Sequence, residues 1–309
     1  MRVVFMGTSA FAVPVLSELR EYADVIAIVT QPDRPSGRGR HVSESPVKQA
    51  AKPFDSPILQ PERVREQSFV DRMSELGPLD AIVVAAFGQI IPKSILDIPR
   101  LGCVNVHGSL LPKYRGAAPI QHAVMNGETR TGVTTMLMDP GLDTGPILLQ
   151  EETGIGPDET AGDLEARLAE IGARLLIRTL EGLDRGDLKP TPQDDSQATL
   201  ARSFKREDAA IDWNLPAERI VNTIRAFTPR PGAYALLDGA ILKIWRARVA
   251  VAGEGSPGSI LTTDANGITL AGGTGAVLIT EVQPENRKRM SAAEFARGLH
   301  LKPNARFGA

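Results

Sequence analysis

At 309 residues, with 42 % hydrophobic and 23 % charged residues and a net charge of −2, the chain has the composition of a globular protein of about two domains. Its single cysteine, Cys103, excludes an internal disulfide and a cysteine-built zinc cluster. Residues 1–7 lack the longer apolar run of a secretory signal, and no window approaches the ~18 continuous apolar residues of a membrane helix, so a cytoplasmic location is expected.

Residues 2–7 predict a buried strand ending at Gly7, after which Thr8 and Ser9 are candidate caps for a helix to about Arg20, with Pro14 in its first turns. Val25 to Thr30 predicts a second short, β-branched strand. Gln31 to His41 is polar and turn-rich, with three arginines among glycines and proline, and by itself reads as a solvated loop. Helical spacing resumes over Pro46 to Lys52 and Glu62 to Leu76, and apolar runs over Asp80 to Ala86 and Gly102 to Val106 predict two more buried strands. This alternation predicts an α/β domain: a parallel sheet with helices on both faces. Ligands of such sheets bind beyond the carboxyl ends of the strands. Gly7-Thr8, Phe87-Gly88 and Asn105 to His107 all fall there.

Gly132 to Met138 alternates like a strand, with Ile147 to Leu149 as its partner. Thr160, with Asp163 three residues on, opens a helix to about Leu183. Asp187 to Ala201 is polar, proline-bearing and aperiodic, the best linker in the chain. Beyond it the pattern changes to a helix over Pro216 to Ala226 and then short strands. Tyr234 to Leu237 and Ala240 to Ala247 flank Asp238-Gly239 as a tight hairpin. Runs near Gly258–Leu261, Gly267–Leu270 and Ala276–Val282 predict a small barrel or sandwich, with a helix over Ser291 to Leu299. The expected organisation is residues 1–189, a linker over 190–206 and residues 207–309. Charge follows the same division, since residues 201–309 carry 15 Lys and Arg against 10 Asp and Glu, whereas residues 1–200 carry 20 against 27. The basic third admits a polyanionic partner, or simply a solvated surface.

Asn105 and His107 stand two apart in a strand and therefore share a face. An Asn amide can donate to a carbonyl oxygen that gains charge during acyl transfer, and an imidazole can exchange a proton near neutral pH. Asp143, in Asp139-Pro140-Gly141-Leu142-Asp143-Thr144-Gly145, would orient the ring and favour its charged form if it lies within reach. The same residue would serve equally as a turn former between glycines. His122 is expected to be packed or exposed, and His41 and His300 have no partner pattern. Cys103 is expected to be an inert buried thiol. The histidines are scattered, so no metal is expected. There is no GxSxG elbow and no GxxxxGK[ST] loop, and Gly7-Thr8-Ser9 lacks the full dinucleotide fingerprint.

Five segments carry a family resemblance: Phe5-Met6-Gly7-Thr8; Gln31 to Pro35 with Gly37-Arg38-Gly39; Asn105-Val106-His107-Gly108-Ser109-Leu110-Leu111-Pro112; Tyr114 to Ile120; and Asp139 to Gly145. With Ile211-Asp212-Trp213 and Arg225 to Ala233 they span essentially the whole chain, which resembles the methionyl-tRNA formyltransferase family of folate-dependent formyltransferases. The resemblance implies a Rossmann-like formyltransferase domain followed by a small β-barrel of the oligonucleotide-binding (OB-like) type. The implied reaction moves the formyl group of 10-formyltetrahydrofolate to the α-amino group of methionyl initiator tRNA, for translation initiation. The implied catalytic residues are Asn105, His107 and Asp143, the folate-contacting stretch is Ser109, Leu110, Leu111 and Pro112, and Arg38 is the loop arginine that meets the tRNA. Lys205 and Arg206, just past the polar stretch Asp187 to Ala201, are expected to contact the tRNA and the junction between the domains. A monomer without membrane attachment is expected. A formyltransferase acting on a sugar-nucleotide amine or glycinamide ribonucleotide, a hydrolase of the formyl donor, and a non-catalytic RNA-binding protein are the rival readings.

Overall fold

The computed structural model of the chain describes residues 1–36, 41–251, 255–301 and 305–308. In chain order the elements are β1 (Arg2–Gly7), α1 (Ala12–Tyr22), β2 (Asp24–Val29), β3 (Arg34–Ser36), β4 (His41–Ser43), α2 (Pro46–Ala51), β5 (Ile58–Leu59), α3 (Gln67–Glu75), β6 (Ala81–Ala85), α4 (Lys93–Leu96), β7 (Cys103–His107), α5 (Pro119–Met125), β8 (Arg130–Leu137), β9 (Ile147–Gly154) and α6 (Ala161–Arg185). There follow α7 (Ala217–Ala226), β10 (Ala233–Leu237), β11 (Ala240–Ala250), β12 (Ile260–Asp264), β13 (Gly267–Ala271), β14 (Ala276–Pro284), β15 (Met290–Ser291), α8 (Ala292–Gly298) and β16 (Phe307–Gly308).

The chain forms two compact units. The first comprises Met1–Pro119, Arg130–Gly154 and Glu165–Arg202. Its sheet has the order β5-β2-β1-β6-β7-β8-β9. The five strands from β5 to β7 are parallel, and β6 and β7 are buried at every residue, as a sheet covered on both faces requires. The last two strands are antiparallel, so the sheet is mixed and not wholly parallel as the alternation of elements predicts. From Leu149 to Gly154 strand β9 alternates partly buried and exposed residues, the pattern of an antiparallel edge with one wet face. The chain winds outward from β1 in one direction and from β6 in the other, which puts the topological switch point between them.

Local expectations fail where a polar group finds a distant partner. Thr8 and Ser9 do not cap α1, whose cap position is Phe11; the Thr8 hydroxyl instead donates to the Phe87 carbonyl at 2.9 Å. Only Gln67–Glu75 of the predicted 62–76 helix forms, because the Val64 amide is taken by Gln89 Oε1 at 3.0 Å. The arginine-bearing segment is a loop only in part, since Arg34–Ser36 and His41–Ser43 pair as a short antiparallel ribbon.

The second unit comprises Ile120–Thr129, Ile155–Leu164 and Ser203–Ala309. It thus gathers two segments that chain order alone leaves with the first. The side chain of Arg219 donates to the Met125 carbonyl at 2.9 Å, and the buried guanidinium of Arg225 donates to the carbonyls of Gly156 and Glu159 at 3.0 and 2.9 Å. The expected capping at Thr160 is present, its hydroxyl and backbone N–H both engaging the Asp163 carboxylate. The antiparallel sheet of this unit has the order β12-β13-β14-β11-β10-β16, with β15 on β14. The β10–β11 hairpin turns through Asp238 and Gly239, both at positive φ, as a two-residue turn matched to strand twist demands. Ser259 bridges Arg306 while Phe307 pairs with Leu237, so residues 305–308 join the two outer edges and curl the sheet into a barrel. Trp213, Phe227 and Phe307 fill its core together with one face of α7.

Candidate active site

Strand β7 lies between parallel β6 and antiparallel β8, and it carries the side chains of Asn105 and His107 on one face near its carboxyl end. Asp143 arrives from the loop between β8 and β9. Its backbone is left-handed, φ +52°, a conformation that Asp tolerates better than most residues. The three side chains meet. Asn105 Nδ2 donates to Asp143 Oδ1 at 3.4 Å, and Asp143 Oδ2 stands 3.7 Å from His107 Nδ1. Asn105 and His107 are only 8 % and 6 % exposed. Gly116 completes the carboxylate's shell, its N–H donating to Asp143 Oδ2 at 2.8 Å. Only glycine suits that position, at φ +118° with a hypothetical Cβ 2.7 Å from the Ala201 carbonyl oxygen.

The imidazole is held from its far side. His107 Nε2 lies 2.9 Å from the backbone carbonyl of Tyr114. A carbonyl only accepts, so Nε2 carries a hydrogen and Nδ1 is the atom left to face Asp143 and a reacting group. Tyr114 is itself left-handed, φ +63°, and its N–H donates to Thr199 Oγ1 at 2.8 Å. Cys103, on the same strand, is 2 % exposed, with its Sγ turned to the carbonyls of Ile95 and Leu96. Burial pushes its thiol up to about 12, so it is neutral at physiological pH and no nucleophile.

The segment after β7 divides between structure and surface. The Ser109 side chain is fully buried and donates to the Lys113 carbonyl at 2.7 Å. Leu111 is buried, its N–H bound by Thr134 Oγ1 at 3.1 Å and its carbonyl by Gln150 Nε2 at 2.9 Å. Leu110 and Pro112 are partly exposed.

Arg38 lies outside the described residues. The start of its loop is tied down. Asp33 accepts from Lys48 Nζ at 2.5 Å and from Gln60 Nε2 at 2.8 Å, and these two hydrogen bonds hold its carboxyl below the ordinary carboxylate range. Gln31 reaches the Phe87 carbonyl at 3.0 Å, so the loop is joined to the end of β6. Lys205 and Arg206 are exposed in the second unit, where His122 stacks on Phe204 with ring centroids 4.4 Å apart. Among the described residues no group of three or more His, Cys, Asp or Glu side chains gathers as a metal site.

Four residues around the site escape a sequence reading. Tyr114 and Arg115 stand in a motif but receive no role from spacing. Gln193 and Thr199 sit in the aperiodic polar stretch, where only their side-chain chemistry marks them. Gln193 Nε2 donates to the carbonyls of Asp143 and Gly145 at 2.8 and 2.7 Å.

A protein-family model described as "Formyl transferase" matches residues 1–180, and one described as "Formyl transferase, C-terminal domain" matches residues 203–300. The methionyl-tRNA formyltransferase of Citrifermentans bemidjiense is 50 % identical over 309 residues, covering 100 % of this chain and 96 % of that protein. That of Geobacter sulfurreducens is 51 % identical over 310 residues, with 100 % and 97 % covered. Among solved structures, HypX from Aquifex aeolicus in complex with tetrahydrofolic acid is similar over 96 % of this chain and 47 % of its own, with a TM-score of 0.66 and 18 % identity. An N-formyltransferase from Helicobacter canadensis, in complex with folinic acid and dTDP-3-aminofucose, is similar over 91 % and 98 %, also with a TM-score of 0.66 and 18 % identity. At that identity the solved structures speak for the fold alone. The two family matches and the relatives half identical along their whole length place the chain in the methionyl-tRNA formyltransferase family.

Proposed function

We propose that this chain transfers the formyl group of 10-formyltetrahydrofolate to the α-amino group of methionyl initiator tRNA, giving N-formylmethionyl-tRNA. The observation that carries the reading is the meeting of Asn105, His107 and Asp143 in one polar cluster at the carboxyl end of β7. The donor set fits a formyl group. The Asn105 amide makes a single 3.4 Å bond among the described residues, which leaves an N–H for a carbonyl oxygen. Leu110 and Pro112, the two partly exposed members of the 109–112 stretch, are the side chains that would touch the folate, while buried Ser109 and Leu111 set the backbone there.

The folate supplies the one-carbon unit, and the protein supplies position and electrostatics. Formyl transfer makes a bond from the acceptor amine to the formyl carbon, takes a proton from that amine and returns one to the departing nitrogen. Asn105 Nδ2 is placed to donate to the oxygen on which charge develops. His107 Nδ1 is placed to carry the proton, because Nε2 is committed to the Tyr114 carbonyl. Asp143 orients both. The acceptor is itself the nucleophile, so no covalent enzyme intermediate is required.

In this reading residues 1–189 carry the chemistry, residues 190–206 lead from them to the rest, and residues 207–309 bind the tRNA, with Arg38, Lys205 and Arg206 among its contacts. The work belongs in the cytoplasm, where charged tRNA is made; among the described residues no helix is long and apolar enough to cross a membrane. One assay tests the whole reading. Labelled 10-formyltetrahydrofolate is incubated with methionyl initiator tRNA, with uncharged tRNA, with an amino sugar nucleotide, or with no acceptor. Label is expected on the methionyl-tRNA alone. Equal release of formate without acceptor would make the protein a hydrolase, label on the sugar nucleotide would move it to that substrate class, and no turnover with any acceptor would leave only binding.

A further inference from the structure

Residues 191–201 have no apolar periodicity, yet they pair along the segment that follows the 109–112 stretch. The N–H of Thr199 donates to the Pro112 carbonyl at 3.3 Å, and the Thr199 carbonyl accepts from Arg115 at 2.8 Å. Ala201 donates to the Arg115 carbonyl at 2.7 Å and accepts from Ala118 at 3.1 Å, while Thr191 and Ile147 exchange two bonds of 2.8 Å. This pairing delivers Gln193 to the Asp143 loop. We propose that Gln193, braced by Arg115, is a positioning residue that sets the Asp143 carboxylate for formyl transfer; the assignment rests on the formyl-transfer reading above.

Both amide hydrogens of Gln193 are used on that loop, one to the carbonyl of Asp143 and one to that of Gly145. Its Oε1 accepts from Arg115 Nε at 3.0 Å and from Nη2 at 2.9 Å. Arg115 Nη2 also donates to Asp195 Oδ1 at 2.7 Å. Arg115 is 6 % exposed, whereas the Asp195 side chain is 83 % exposed. The buried guanidinium therefore takes its place from Gln193 as much as from its counter-ion, and it fixes the amide so that the –NH2 end faces the loop.

The arrangement controls Asp143 from both ends. Gln193 holds its main-chain carbonyl, and Gly116, the residue that follows Arg115, holds its carboxylate. A left-handed residue at φ +52° persists where its surroundings determine it. Releasing the carbonyl would let the peptide relax and draw the carboxylate away from Asn105 and His107. A misplacement of about 1 Å in a catalytic group is enough to cost ~10²-fold in rate.

The test uses Gln193→Glu, which keeps length and pairing with Arg115 but has no hydrogen for either carbonyl. Turnover is expected to fall about 10- to 100-fold, with KM for folate and for methionyl-tRNA within about threefold of wild type. The loss is expected to vanish when the substitution is made in an Asp143→Asn background, because the group being positioned is then already gone. A Gln193→Glu enzyme with wild-type turnover overturns the proposal, and so does the same fold-loss with and without Asp143, the mark of a purely structural residue. Gln193→Met, similar in size and unable to hydrogen-bond, is read in the same cycle as a second variant. If neither variant folds, Gln193 is a fold residue and the assignment is wrong. Failure of the formyl-transfer reading is distinguishable, because it appears in the wild-type protein before any variant is made.

Discussion

The two units hold their polar side chains in opposite ways. Around Asp143 in the first, the acceptors and donors are matched inside the protein: Asp143 to Asn105 and Gly116, His107 to Tyr114, Gln193 to two loop carbonyls. In the second, Arg225 is buried against main-chain carbonyls, but other cations lie at the surface. Lys205 and Arg206 are exposed, Arg246 meets one carboxylate at 3.6 Å, and Arg289 lies over the Trp245 ring at 3.7 Å. Buried donors work at short range in a low dielectric and at fixed geometry. Exposed cations work through a field that salt screens within about 8–10 Å. The first region therefore fixes its polar groups against one another, whereas the second presents cations to solvent; the proposed function assigns turnover to the one and tRNA attraction to the other.

The sharpest way to break that contrast is at the site. Asn105→Ala or His107→Ala is expected to lower turnover by roughly 10²-fold or more with little change in acceptor KM, measured by steady-state formylation. Near-normal turnover in both would remove the distinction between the regions. Cys103 probes burial in the first unit by another route. Its thiol rises from an ordinary 9.0 to about 12 in the folded protein, so the unfolded chain loses that proton first. The stability this contributes is whole below pH 9 and drains away as pH climbs toward 12, at up to about 1.4 kcal/mol per pH unit. Denaturant melts from pH 8 to 11 are expected to fall more steeply in the wild type than in Cys103→Ala; parallel slopes would mean the thiol is not desolvated.

A smaller effect is expected from the surface cations. Lys205→Ala with Arg206→Ala should raise the tRNA KM by about a few-fold, leave kcat alone, and flatten the dependence of KM on salt by about one to two phosphate contacts. An unchanged salt slope would detach these residues from tRNA binding. Smallest is the cap of α6, where Thr160→Ala is expected to cost about 1 kcal/mol of stability at equal turnover. A loss of turnover without a loss of stability would show that this helix end reaches the chemistry.

Periodicity made most elements legible: the buried runs of β1, β2, β6 and β7, the Thr160–Asp163 cap, and the Asp238-Gly239 hairpin each follow from residues within a few positions of one another. Asn105 and His107 were legible as a pair because strand geometry alone puts them on one face. The ribbon of Arg34–Ser36 with His41–Ser43 was not, since nothing apolar patterns it. Nor was the mixed sheet, because a buried strand has the same composition whichever way its neighbour runs.

What the sequence by itself determined is the two-part organisation, the chemistry of the amide, imidazole and carboxylate, and the family to which their motifs belong. The tertiary structure decided how those groups are used. Asp143 meets Asn105 across 38 residues and Gln193 across 50, and Gln193 meets Arg115 across 78. His107 turns Nε2 to the main-chain carbonyl of Tyr114, a left-handed residue whose N–H is bound by Thr199, 85 residues away. Local patterns record which face a residue is on. A hydrogen bond between polar groups so far apart in the chain leaves no periodic trace, because it depends on where the sheet and its loops bring them together.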